Sequence, residues 1–323
     1  MAPTPSVSLM TPTWAGDLEQ YRILMRSLSR SPLADLEHIT VVQTEDEPAL
    51  RARVSSHSHI MTTAQLLPDV VESRRCHAMA WQAVGGRHTT RISGSVSRAV
   101  GWPRWPRYTG WHTQQLCKLA IAARAATDYV LIVDSDVIVT PQAQLAPWIN
   151  RPAIACISDR HQQAAFRGKT LNWVQQADRL LQAPTVDGVF DAYFDTPFLL
   201  HVDSVRALLA WLEEHYQCPW WLALVQQPPR RWSEFATYKR FLMCRAQIRG
   251  ESGEEPGTGV DVDWIKPEGL HYIFDTSDSK RLLDEIELQL RRPETRFITV
   301  HSQSSGRQRW DARRFTDDLY QLL

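Results

Sequence analysis

Cysteine is sparse and unpatterned in this chain. Its 323 residues include five, Cys76, Cys117, Cys156, Cys218 and Cys244. They are scattered, odd in number and form no C-x-x-C pair. That excludes a disulfide framework and a structural zinc site, and it reads as reduced thiols in a cytosol. No window offers the roughly 18 consecutive apolar residues that a membrane-crossing helix requires, so no membrane span is expected. The opening stretch, MAPTPSVSLMTPTW, lacks the charged and long apolar segments of a secretory signal. The expectation is a soluble, cytoplasmic protein. Net charge is missing too, since 36 Lys and Arg balance 36 Asp and Glu. This argues against a surface given over as a whole to nucleic acid or anionic membrane. There is no internal repeat and no linker that divides the chain, so residues 1–323 read as a single domain.

What is present is globular: 43% of residues are apolar and 22% charged. Thirteen tryptophans are many for this length; they suit a core, but also stacking on sugars or bases. The first half alternates strand-like and helix-like segments. SVSLMT (Ser6–Thr11) reads as a strand, DLEQYRILMRSLSRS as a helix capped by Asp17, and HITVVQT (His38–Thr44) as a second strand. HTQQLCKLAIAARAAT follows with helical spacing at Leu116, Leu119, Ala120 and Ala123. The run YVLIVDSDVIVT (Tyr129–Thr140) comes next. This order predicts an α/β fold with a mostly parallel sheet and helices on its faces. The second half reads as helical and irregular. Its helices are VDSVRALLAWLEEHY, WSEFATYKRFLM and SDSKRLLDEIELQLRR, its strands IACISD and RFITVHS, and its acidic loop RGESGEEPGTGVDVD.

Asp134 and Asp136 interrupt an apolar run that should leave the core. An uncompensated buried carboxylate costs several kcal/mol, so a positive partner is expected. On a strand the two would point the same way, at the edge where open α/β sheets bind ligands. Hard oxygen ligands at this spacing suit Mg2+ or Mn2+, which keep positions open for phosphate oxygens. The alternative is a strand-end turn with solvated carboxylates.

With its D-x-D after an apolar strand, the sequence resembles nucleotide-sugar-dependent glycosyltransferases of the GT-A fold. More closely, TPTWAGDLEQYRIL, GWHTQQLCKLAIA with TDYVLIVDSD, and WSEFATYKRFL with VHS resemble a bacterial group classed with the glycosyltransferases. The resemblance runs from about Thr11 to His301. It implies a Rossmann-like GT-A sheet, with residues 1–140 as the nucleotide-sugar half and 141–323 as the acceptor-side half. Asp134 would approach the ribose or the metal, and Asp136 would ligate Mn2+ or Mg2+, with His301 completing the coordination. Thr11, Pro12 and Thr13 would lie against the nucleotide, and Glu45 or Asp46 would take a base or ribose hydroxyl. Gln115 and Lys118 share a helix face and would reach donor hydroxyls and phosphate.

The implied reaction is sugar transfer from a nucleotide sugar, a UDP-sugar, to a hydroxyl of a cell-surface glycan. Glu234 and Asp195 are candidate bases for an inverting mechanism; Glu234 equally suits a helix N-terminus, and Asp195 a structural or acceptor-binding role. Trp111, beside the Q-Q helix, is a candidate sugar platform. RAVGWPRWPRYTGW interleaves Arg98, Arg104 and Arg107 with Trp102, Trp105 and Tyr108, and PPRRW and SGRQRWDARRF are similar. Such segments suit a phosphate backbone with stacked bases, so a nucleic acid acceptor, such as a modified base in phage DNA, is the alternative. A nucleotide-sugar binding module without turnover is a second alternative. A phosphohydrolase using the same carboxylates is a third.

Overall fold

VSLMTP (Val7–Pro12, β1) is buried at all six positions, as a strand must be when both faces of its sheet are covered. A computed structural model describes residues 4–52, 58–81, 83, 110–162, 167–183, 189–228, 230–251, 260–274, 278–301 and 312–323. In it, β2 (His38–Val42) and β3 (His59–Thr62) add in parallel on one side of β1, and β4 (Tyr129–Ile132) adds in parallel on the other. Beyond β4, β9 (Phe198–His201) closes the sheet antiparallel, giving the order β3-β2-β1-β4-β9. The fold is therefore mixed α/β around a mostly parallel sheet.

Side-chain alternation splits the core in two. Met10, Ile39, Val41, Val130 and Ile132 face one layer of helices. That layer contains α5 (Gly110–Arg124), α8 (Val202–Tyr216), α9 (Trp220–Val225) and α10 (Glu234–Glu251). Val7, Leu9, Val42, Tyr129 and Leu131 face the other way, against α1 (Leu18–Leu28) and α6 (Ala146–Ile149). Short α2 (Glu47–Arg51), α3 (Thr63–Leu66) and the helix over 69–81 (α4) connect the early strands. Against α10 packs α7 (Gly168–Leu180), and α11 (Ser279–Leu290) packs with α12 (Ala312–Leu322).

The second half holds more strands than its sequence suggested. β5 (Val137–Val139) pairs antiparallel with β12 (Phe297–Val300), and β11 (Leu270–Ile273) runs parallel to β12. β6 (Ile154–Ile157) pairs with β10 (Val262–Ile265), and β7 (Asp159–Gln162) with β8 (Val189–Ala192). Two expectations change. The strand expected to carry Asp134 and Asp136 at its carboxyl end stops at Ile132 (β4); the two aspartates lie in the turn after it, and Val137–Val139 (β5) belong to a different sheet. Asp17 does not cap α1 with its side chain; its carboxylate instead accepts the Trp14 indole N–H at 2.6 Å.

Most of the Arg/Trp-rich stretch around Arg98–Tyr108, residues 252–259 of the acidic loop and residues 302–311 of the C-terminal basic stretch lie outside the described residues. Among the described residues no helix is long and apolar enough to cross a membrane.

Candidate active site

β1 has one neighbour that follows it in the chain on each side, β2 and β4, so the sheet's topological switch point lies between β1 and β4. Open α/β sheets bind ligands outside the carboxyl ends of the strands at such a point. The residues placed there are Thr13 and Trp14 after β1 and the D-S-D turn after β4. Val133 still donates to the Met10 carbonyl (2.9 Å), and then the chain turns, with the Val137 N–H on the Asp134 carbonyl (3.1 Å). As β5 joins β12, the Val300 N–H bonds the Asp136 carbonyl at 2.9 Å, which sets His301 beside the turn. β9 begins opposite Ile132, so Asp195–Pro197, just before it, run past the turn from the other side.

The positive partner that the buried carboxylates demand is Lys118. Its ammonium lies 3.2 Å from Asp134 Oδ1 and 3.3 Å from Glu234 Oε1. The Lys118 side chain is 5% exposed, Glu234 1% and Asp134 39%, so one end of this triad is sealed and the other opens outward. The ammonium also rests 4.7 Å above the Phe235 ring, which stacks on Phe198 at 3.9 Å. Burial works against the Lys118 charge, but Asp134 and Glu234 outweigh it and hold its pKa above the ordinary value. Burial pushes the Glu234 carboxyl up, and Lys118 pulls it down. Gln115, one turn before Lys118, accepts the Glu234 backbone N–H at 3.1 Å. It thus satisfies an otherwise orphaned donor at the start of α10.

Asp195 and His301 complete the surroundings. Asp195 is exposed as a residue, yet burial around its carboxyl raises its pKa, with Asp134 adding to the rise and His301, Lys169 and Lys118 opposing it. His301 stacks on Phe274 (4.4 Å, 10°), and its Nε2 is buried with no hydrogen-bond partner among the described residues. A buried imidazole nitrogen with no partner among the described residues, close enough to act on Asp195, fits a metal ligand chemically. Asp136 is half-buried. Among the described residues, no three His, Cys, Asp or Glu side chains are gathered closely enough to hold an ion by themselves.

The remaining expected residues are placed as follows. Thr11 is fully buried, its hydroxyl 2.9 Å from His38 Nε2. It packs with Leu9, Leu24, Leu28 and His38 beneath α1, where there is no room for a water molecule, and so faces away from the switch point. Pro12 is buried. Thr13 is buried as well, and its hydroxyl has no partner among the described residues. Glu45 is bound by both its oxygens to Arg75 (2.6 Å each), which also takes Glu72 and Gln43. Asp46 accepts the Ala15 N–H at 2.9 Å, joining the loops after β1 and β2.

Sequence reasoning missed Arg75, Lys169 and the pairing of Lys118 with Glu234. The repeated aromatic and basic residue types around 169–173 were the one available hint.

No curated protein matches the chain. Among solved structures it is similar to the galactosyltransferase LgtC in complex with donor and acceptor sugar analogues, at 12% identity and a TM-score of 0.39, covering 98% of this chain and 96% of that one. It is similar to the bifunctional glycosyltransferase WbbM at 13% identity and a TM-score of 0.42, covering 99% of this chain and 50% of that one. An active-site mutant of LgtC gives 12% identity and a TM-score of 0.41, with 96% and 94% covered. Residues 6–252, which carry every site residue named above except His301 and its partner Phe274, match the model of DUF6492, a family of unknown function, and the chain belongs to that family.

Proposed function

We propose that this protein is a metal-dependent glycosyltransferase of GT-A type, moving a sugar from a nucleotide sugar, a UDP-sugar, to a glycan hydroxyl. One observation carries the reading. At the sheet's switch point, Asp134 is held by a buried ammonium, and Asp136 is bonded through its backbone to the strand that leads into His301, whose Nε2 is buried with no partner among the described residues.

Asp134, Asp136 and His301, which do not by themselves form a closed ion site, would hold Mn2+ or Mg2+ together with the phosphate oxygens of a bound nucleotide sugar. The bound ion supplies charge neutralisation for a departing diphosphate. The loop from Thr13, tied to Asp46 through Ala15, borders the nucleotide. Glu45, already paired with Arg75, shapes that border rather than contacting the base directly. Lys118 fixes the rotamer of Asp134, and Glu234, sealed behind it, keeps Lys118 charged; Glu234 is thus a positioning residue. Asp195 is the carboxylate at the open side with a raised affinity for protons, and in an inverting reaction it receives the proton of the acceptor hydroxyl.

The test is a thermal-shift screen of nucleotide sugars with and without Mn2+. The true donor raises Tm by mass action only when the ion is present. Asp136→Ala should abolish the Mn2+-dependent part of the shift and the slow metal-dependent hydrolysis of the donor. A nucleotide-sugar shift that EDTA and Asp136→Ala both leave unchanged would overturn the proposal.

A further inference from the structure

Next to Asp195 stands a second feature, which the transfer chemistry does not use. Trp111, at the start of α5, and Trp173, in α7, stack at 5.5 Å and 20°. Each indole N–H is tied to a backbone carbonyl of one segment, Trp111 to Trp232 and Trp173 to Arg230, both at 3.2 Å. The rings are therefore fixed from both ends. Phe194, the neighbour of Asp195, meets Trp173 edge-on at 5.9 Å.

Over this pair sits the Lys169 ammonium, 4.8 Å from Trp111 and 4.5 Å from Trp173. The geometry is a cation–π arrangement that holds a charge in place without neutralising it. Lys169 is exposed, as are Arg230 and Arg231. Among the described residues neither Lys169 nor Arg230 has a carboxylate within ion-pair distance, although Asp195, Glu234 and Arg230 all act on Lys169 through space. Burial against the rings, together with Arg230, holds the Lys169 pKa below its ordinary value. Arg230 itself adopts a left-handed backbone (φ 62°), a conformation uncommon for a residue with a side chain.

Two cations without an ion-pair partner among the described residues thus stand at a fixed aromatic pair, Lys169 over the rings and Arg230 on the segment that anchors Trp173, and Asp195 acts on Lys169. We infer that Trp111, Trp173, Lys169 and Arg230 form an acceptor subsite for a sugar bearing an anionic group, a phosphate ester or a carboxylate. The inference rests on the glycosyltransferase reading and names its acceptor class. The anion meets Lys169 and Arg230, and its sugar lies along the half-buried Trp111, which the buried Trp173 backs (8% exposed), with a hydroxyl towards Asp195.

Calorimetric titration of the full chain, without nucleotide, tests this with three probes at matched ionic strength: glucose 6-phosphate, glucuronate and glucose. One or both anions should bind saturably and glucose should not; the anion preferred identifies the phosphate or the carboxylate as the source. Lys169→Ala and Arg230→Ala should each weaken that binding about tenfold, the loss of one charge-assisted hydrogen bond, and Lys169→Arg should largely restore it. Excess UDP with Mn2+ should leave the anion bound. Equal binding of glucose, binding by neither anion, binding unchanged in Lys169→Ala, or displacement of the anion by UDP each overturns the subsite. Donor-induced thermal shifts of the wild type are read separately. Anion binding without a donor shift rejects the transferase reading and keeps the anion site, and the reverse result rejects the subsite alone.

Discussion

Replacing Lys118 with methionine keeps the length of the side chain and its packing on Phe235 while removing the charge. Glu234 is then left 1% exposed with Ser233 Oγ (3.2 Å) as its side-chain donor. Breaking a buried pair by removing one partner costs about 3–5 kcal/mol, because the remaining charge is uncompensated. Asp134 adds less, since its side chain is 39% exposed and can turn to water. Urea unfolding of Lys118→Met at pH 7 should therefore show a loss in that range.

The sign of a second substitution is the sharper test. Glu234→Gln should destabilise the wild type, where it removes a paired charge, yet stabilise Lys118→Met, where it removes an unpaired one. The deficit of Lys118→Met should also depend on pH. Burial raises the Glu234 carboxyl in the fold, and without Lys118 nothing comparable pulls it down. A group whose folded pKa is raised favours the folded state below its unfolded pKa and loses that contribution as pH rises. The variant should thus recover part of its deficit near pH 5 and be at its worst near pH 8. If Glu234→Gln has the same sign and size in both backgrounds, Lys118 and Glu234 are not coupled as charges.

Two further outcomes follow from the scaffold. His38 is buried, and its pKa is lowered by that burial to about 4 from 6.5. Stability should be full above pH 6.5 and fall towards pH 4 by up to about 3 kcal/mol, with about 2 kcal/mol already lost at pH 5. Denaturant midpoints at pH 7 and pH 5 should diverge in the wild type and converge in His38→Gln. Gly269 has φ 80°, and a Cβ there would come within 2.8 Å of the Glu294 carbonyl. Gly269→Ala should cost about 2 kcal/mol or more, measured by urea unfolding; a loss below about 0.5 kcal/mol would mean that the turn before β11 is not rigid.

The two aspartates were legible because an apolar run makes carboxylates conspicuous, and the Q-Q-x-x-K spacing put Gln115 and Lys118 on one helix face. That Lys118 answers Asp134 was less legible, and that it also answers Glu234 was not legible at all. The two elements are brought together by packing of α5 on α10, and no local pattern encodes that. Thr11 could have been read correctly: in a strand it shares its face with Leu9, which points to the α1 side rather than the loop. β9 was hidden by its length, four residues between Pro197 and the helix that begins at Val202. The D-S-D turn was mistaken for strand because the residues on both sides of it are apolar. Each flank is the interior strand of a different sheet, so the hydrophobic run continues while the chain changes direction.

That change of direction gathers charge. Asp134, Asp136, Asp195 and Glu234 come from the turn, the loop before β9 and the start of α10, and Lys118 and Lys169 approach from α5 and α7. A third ammonium, Lys239, is buried over the Phe194 and Phe198 rings beside the same loop. Like charges at short range disfavour one another, and a divalent cation bound among the carboxylates would relieve their mutual repulsion. Mn2+ alone should therefore raise Tm, whereas sodium chloride of the same ionic strength, which only screens, should raise it far less. Asp136→Asn, by removing a proposed ligand, should abolish the response to Mn2+. A protein that answers sodium and manganese alike would show that the turn's carboxylates have no ion to wait for.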